Sequence, residues 1–210
     1  EETPAEEPAA DAAYSVAMIT DYGDITDQSF NQTTYEACKA FCEANGVDFN
    51  YFKPTGDSDA ERIAQVEAAI DEGYNVIVMP GYLFAAAIGE CQPMYPDVKF
   101  IALDVSEFDL TSNGVDLSNA SNLFSAVYQE ELSGYMAGYA AVKMGYKKLG
   151  FLGGMEVPAV QRFGYGFVQG ANDAAVELGI AADVSCEYVY GGKFMGDADI
   201  TAYMDNWYAT

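Results

Sequence analysis

Short β-prone runs alternate along the chain with longer stretches in which apolar residues recur at helical spacing. The run YSVAMIT at residues 14–20 predicts a first strand, and residues 31–45 predict a helix that Gly46 stops. Residues 47–52 predict a second strand. Ser58-Asp59-Ala60-Glu61 has the form of a capping box, in which the first and fourth side chains satisfy each other's backbone N–H groups. It opens a helix that runs to Glu72 and stops at Gly73. NVIVM at residues 75–79 is almost continuously apolar, the pattern of a strand buried on both faces. A helix over 83–95 and a strand, KFIAL, over 99–103 come next. Residues 106–122 break the rhythm, and their SNG and SNASN segments suit loops and a short edge strand. A helix of apolar and small residues is then predicted over 124–144. The alternation restarts with a strand at 148–152, a helix at 161–178, a strand at 185–190 and a helix from near Asp197.

Strand–helix alternation at this spacing makes βαβ units, hence an α/β fold with a parallel sheet covered by helices on both faces. Four units before Ser106 and a restart after Asn122 predict two successive lobes, residues 14–121 and 122–210, with a hinge near 117–124. Only two strands are laid down after the restart, and two parallel strands do not hold a lobe together alone. The expectation is therefore a fragment that stops inside its second lobe.

The composition narrows the partners. Nine basic residues against 33 acidic ones give a net charge of -24 over 210 residues, which repels phosphate backbones and anionic lipid. Nucleic acid is excluded as a partner on this ground, and anionic solutes are disfavoured. No apolar run approaches the roughly 20 residues that span a bilayer. Residues 1–13, EETPAEEPAADAA, hold no side chain large enough to bury and predict a disordered acidic tether. An arm of this kind commonly succeeds the processed cysteine of an exported lipoprotein, so the only membrane link expected is an N-terminal lipid anchor. There is no histidine, and Cys38, Cys42, Cys91 and Cys186 lack metal-ligand spacing. They read as small buried thiols, with a disulfide left open. Neither a metal nor a cofactor is expected.

In open parallel sheets, ligands bind beyond the carboxyl ends of the strands. The residues at those ends are rich in carboxylates, glycines and aromatics and nearly free of bases: Asp21 to Gln32, Thr55-Gly56, Gly81-Tyr82, Asp104, Gly153-Gly154 and Gly191 to Phe194. Carboxylates accept hydrogen bonds from neutral hydroxyls and amines, and aromatic faces stack on flat rings. A plainer role stands beside each residue. Asp21 and Asp27 could cap the first helix, Phe30 could form a hydrophobic staple, Asp104 could hold a turn, and the glycine pairs need only be tight turns.

The segment ITDYGDITDQSFNQ (19–32) resembles the opening signature of the basic membrane protein family of ABC-transporter substrate-binding lipoproteins, which includes purine nucleoside receptors. The resemblance continues through DEGYNVIVMPGYLF, YPDVKFIALD, YQEELSGYMAGYAAVKMG and KLGFLGGMEVPAVQRFGYGFVQG, and covers about residues 14–205. It implies a type I periplasmic-binding-protein fold with two doubly wound, flavodoxin-like lobes, the second one truncated. It further implies that Asp21 bonds the ligand base, that Phe30 stacks on it, and that Asp104 is another contact. Asn31 and Phe163 carry over as lesser ligand-binding positions, and similar sugar-binding proteins of the same fold place a stacking aromatic where Phe194 stands. The function implied is capture of a small neutral solute, a purine nucleoside, between two lobes for delivery to an ABC permease outside the cytoplasm. Two other classes compete. One is a sensor or adhesin built on the same module. The other is a nucleoside-hydrolase-type enzyme, against which stand the missing histidine, GxSxG elbow and paired catalytic cysteine.

Overall fold

The computed structural model describes residues 14–194 and 196–209, so the expected tether at 1–13 lies outside the described residues. The described chain divides into two compact units, with the break after Val127.

The first unit runs β1 (Ser15–Ile19), α1 (Phe30–Asn45), β2 (Asp48–Phe52), α2 (Asp59–Asp71), β3 (Val76–Pro80), a 3-10 turn (Tyr82–Phe84), α3 (Ala85–Met94), β4 (Lys99–Leu103), α4 (Glu107–Ser112) and β5 (Leu123–Ala126). Its five strands are all parallel, in the order β2-β1-β3-β4-β5. The period-2 alternation of a strand sorts the central side chains onto two faces. Ala17, Ile19, Ile77 and Met79 point to the α2–α3 side, where Val66, Phe84 and Ile88 meet them. Val16, Met18 and Val78 point to the other side, against Cys42 of α1. Burying side chains of this size contributes about 1.5–3 kcal/mol each. The expectation that β3 is buried on both faces holds: Ile77, Val78 and Met79 are all in the core.

Two predicted features of residues 106–144 are corrected. The stretch expected as loop contains α4, because Ser106 and Asp109 form a reciprocal capping box. The helix expected from Phe124 begins only at Glu130. Leu123–Ala126 instead continue the first sheet, with the Phe100 N–H donating to the Asn122 carbonyl (2.8 Å) and the Asp104 N–H to the Ala126 carbonyl (2.7 Å). Buried Asn122 fixes the entry to that strand. Its Nδ2 lies within hydrogen-bond distance of the carbonyls of Gln92 in the last turn of α3, of Tyr95 just after it, and of Val98 before β4. The first unit therefore extends past the expected boundary at 121/122.

The second unit contains α5 (Glu130–Lys143), β6 (Lys148–Gly153), α6 (Pro158–Glu177), a 3-10 turn (Ala181–Asp183), β7 (Ser185–Tyr190) and α7 (Ala198–Ala209). β6 and β7 pair in parallel. α6 starts three residues ahead of the expected position 161, on Pro158, whose missing N–H is no loss in the first helical turn. Gly134 and Gly138 of α5 face the backbone of Phe163 and Phe167, while Gly166 and Gly170 of α6 face that of Glu131 and Tyr135. The two helices thus pack backbone to backbone. Ion pairing reinforces the seam at one end, where Arg162 Nε donates to buried Glu130 at 2.5 Å. Among the described residues no helix is long and apolar enough to cross a membrane.

Candidate functional site

The strand order of the first unit reverses at β1/β3, and the loops that leave the carboxyl ends of these strands flank that switch point. The loop after β1 is tied into one hydrogen-bond network. Asp21 Oδ1 accepts from the N–H groups of Tyr22 (2.6 Å) and Gly23 (2.7 Å) and from Asn31 Nδ2 (2.9 Å). Asn31 returns the bond, its Oδ1 accepting from the Asp21 N–H at 3.2 Å, and its Nδ2 also donates to Asp27 at 2.9 Å. Asn31 is 5% exposed and so is locked in place. Gly23 is required here, since a Cβ would lie 2.7 Å from Asn31 Nδ2.

The same loop separates the two roles left open for its aspartates. Asp27 caps α1: its Oδ1 accepts from the N–H groups of Ser29 (2.8 Å) and Gln32 (3.1 Å), while the Ser29 side chain makes no cap bond. Burial works to raise the Asp27 pKa, but hydrogen bonds from the Asn31 side chain and from the Gln32, Ser29 and Asn31 N–H groups outweigh it and hold the carboxyl below its usual range. Asp21 bonds its own loop and Asn31. Phe30 is the first residue of α1, not the residue before the cap, so it does not take the outer position of a staple. It is half-buried, beside Asn31 in the chain.

Asp104 leaves the end of β4 with φ of 59°, a left-handed conformation that few non-glycine residues adopt. Aspartate tolerates it better than most. The carboxylate is thereby carried on a backbone that turns sharply out of the sheet, while its N–H stays in the ladder to β5. Gly81, at φ 116° after β3, donates its N–H to the Leu103 carbonyl at 2.7 Å and locks the neighbouring strand ends together. Lys53 after β2 donates to Asp24 of the first loop at 2.6 Å. Asp21, Phe30, Asn31 and Asp104 thus share one edge of the first unit's sheet.

Phe163 and Phe194 belong to the second unit. A Cβ on Gly154 would lie 2.7 Å from Phe194 Cε1, so the ring lies over the glycine backbone at the carboxyl ends of β6 and β7. The cleft there measures about 350 Å³ and is lined by Leu152, Gly153, Lys193, Phe194 and Ile200 among others. Phe194 remains 57% exposed, which leaves much of its ring free to be covered. Phe163 sits on α6, where its carbonyl packs against Gly134 at the helix seam.

One residue at these strand ends is absent from the sequence-based set. Arg62 of α2 is 2% exposed and donates to Asp57 and, at 3.1 Å, to Asp59. Its position relative to Val66 and Ala69, four and seven residues on, is that of a helix face turned to the core, and all three are buried. That spacing was the available signal.

The four cysteines are all free thiols. Burial, with neighbouring Cys42, pushes the Cys38 thiol up to about 11, and burial with nearby Glu67 and Glu90 pushes Cys91 up to about 12. Neither is a nucleophile at neutral pH. Among the described residues no group of three or more His, Cys, Asp or Glu side chains could hold a metal ion.

The parallel sheet is doubly wound and flavodoxin-like, and solved neighbours show the chain to have a type I periplasmic-binding-protein fold. A solved ABC transporter solute-binding protein of Aeropyrum pernix superimposes with a TM-score of 0.72 at 24% identity, over 92% of this chain and 52% of that one. The chain belongs to the basic membrane protein family, described as ABC transporter substrate-binding protein PnrA-like, which matches residues 14–188. The ABC transporter nucleoside-binding protein BmpA of Lactococcus lactis is 27% identical over 85% of this chain and 47% of its own length. A lipoprotein of Pyrococcus abyssi is 28% identical over 88% of this chain and 44% of its own. The chain spans about half the length of the curated relatives it matches.

Proposed function

We propose that this chain is the solute-capturing part of an extracytoplasmic, lipid-anchored receptor that delivers a small neutral solute, a purine nucleoside, to an ABC permease. The observation that carries the proposal is the strand-end edge of the first unit. There the Asp21–Asn31 pair is held rigid by reciprocal hydrogen bonds, and Asp104 stands on a left-handed backbone. Preset acceptors bind neutral N–H and O–H donors without a reorganisation cost. Phe30 beside them suits a flat ring. Phe194, half exposed at the corresponding edge of the second unit, is the other aromatic assigned to the ligand, and Phe163 is retained as a lesser contact. The net charge of -24 favours neutral over anionic solutes. Membership of the substrate-binding family supports transport, the nucleoside-binding name of the Lactococcus relative supports the ligand class, and the lipoprotein name of the Pyrococcus relative supports the anchor.

Binding without catalysis is consistent with the same chemistry. A general acid works best with a pKa near the operating pH. Asp27 is held below the usual carboxylate range and is occupied as a helix cap. Nucleoside incubated with the protein should therefore remain intact, with no free base released by chromatography.

A thermal-shift screen of purine nucleosides, free bases and simple sugars tests the ligand, because a solute that binds only the native state raises the melting temperature. A rise with purine nucleosides is expected. A rise with sugars alone discards the nucleoside and keeps the receptor, and no rise removes all three solute classes and leaves the sensor and adhesin readings standing. Within the site, Asp104→Ala should weaken nucleoside binding at least about tenfold by calorimetry, the scale of a lost hydrogen bond to a charged group. Unchanged affinity removes Asp104 from the site.

A further inference from the structure

Arg62 is placed where three terms oppose it. Its guanidinium is 2% exposed, and taking a charge out of water is expensive even when it is paired. Its Nε is buried with no hydrogen-bond partner, a further cost. It also stands fourth in α2, where the partial positive charge at a helix N-terminus disfavours a cation. Replacing a buried ion pair whole by apolar residues of similar volume is often neutral or stabilising, and the side chains of Asp57 and Asp59 are more than half exposed, so they return to water when the arginine is removed. Stability alone therefore does not account for an arginine in a chain with few basic residues.

What the guanidinium does is hold the segment between β2 and α2. It bonds Asp57 before the helix and Asp59 at its first position, so one planar group grips both sides of the turn. The other end of the segment is held by Lys53 on Asp24 of the β1–α1 loop. Tyr82, just after β3, lies within electrostatic reach of the same cluster: burial, with the charge of Asp57 and neighbouring Tyr22, raises its phenol pKa, and Arg62 acts in the opposite sense. The segment 53–58 is thus pinned at one end to the loop that carries Asp21 and at the other to the start of α2.

We propose that Arg62 is a positioning residue, a buried clamp that presets the β2–α2 segment, and that solute capture depends on that preset shape. This rests on the receptor function proposed above. The test compares wild type, Arg62→Met and Arg62→Lys in the full chain by amide hydrogen exchange and by calorimetry with inosine. In Arg62→Met, exchange at the amides of residues 61 and 62, both of which donate to Ser58, should rise about tenfold while the amides of β3 keep their protection, the signature of local opening. Inosine affinity should fall about tenfold, and Arg62→Lys should recover part of both effects, since an ammonium holds its partners without the planar fork. Equal acceleration across β1–β4, or no change at residues 61 and 62, overturns the clamp. A loosened segment with unchanged affinity overturns its role in capture. If wild type binds no inosine, the nucleoside assignment falls and the capture role with it, while exchange at residues 61 and 62 still decides the clamp.

Discussion

The two units solve the same packing problem with different materials. The first seals a five-stranded sheet between helices with large side chains, among them Ile19, Ile77, Met79, Phe84, Ile88 and Phe100. The second has a core of Val142, Ala171, Ala174 and Ala175, and draws its cohesion from glycines that bring α5 and α6 into backbone contact. Its strands carry aromatics, with Phe151 stacked on Tyr188 at 4.9 Å and the Tyr188 and Tyr190 hydroxyls 2.8 Å apart. A core of large aliphatics loses energy when a side chain shrinks, and a glycine seam loses it when one grows. The first unit should be sensitive to truncation and the second to addition.

That contrast breaks first at Phe84, which is fully buried in the large-residue core. Phe84→Ala should cost the first unit about 4 kcal/mol, read from the shift in its urea midpoint. A loss under about 1 kcal/mol would mean that this core collapses around the gap. Next comes Gly138, where a Cβ would fall inside the contact radius of the Phe167 carbonyl oxygen, a backbone atom that cannot swing aside. Gly138→Ala should destabilise the second unit by about 2–3 kcal/mol, visible as faster amide exchange along α6. An unchanged α6 would remove the distinction. The smallest effect is expected from acid, where the units should behave alike. Asp27 in the first unit and Asp197 and Glu177 in the second are held below their usual values, Asp197 chiefly by the Ile200 N–H and Glu177 chiefly by Lys143. A carboxylate lowered by folding stabilises the fold above its unfolded pKa, and that support is lost as pH falls through the folded value. The urea midpoint should therefore decline below about pH 4, and Asp27→Asn should flatten the decline in the first unit alone.

The parallel strands and the helices between them were legible because buried strands and amphipathic helices each carry a strong period, as in NVIVM at 75–79. The stretch 106–126 was not. Ser106 and Asp109 have the spacing of a cap but stand among residues that favour turns, and four residues of β5 are too few to show a period before α5 begins. At the candidate site, the sequence pointed to the loop after β1 without saying which aspartate served the helix and which the loop interior. That division depends on Asn31 reaching both carboxylates from one helical turn, a matter of three dimensions. Arg62 escaped notice because a charged residue on a helix is expected in water. Only its spacing with Val66 and Ala69 told otherwise.

The left-handed backbone at Asp104 also limits the vocabulary available for redesigning this strand end. Most L-residues pay about 1 kcal/mol or more to adopt that conformation, and β-branched ones are worse placed still. A library at position 104 would thus shrink in practice to Asp, Asn and Gly, which amount to an anionic acceptor, a neutral amide and an empty space. Under the ligand contact proposed for Asp104, any change of preference sought there must be written in those three letters, and broader retuning would start from positions with ordinary backbone angles.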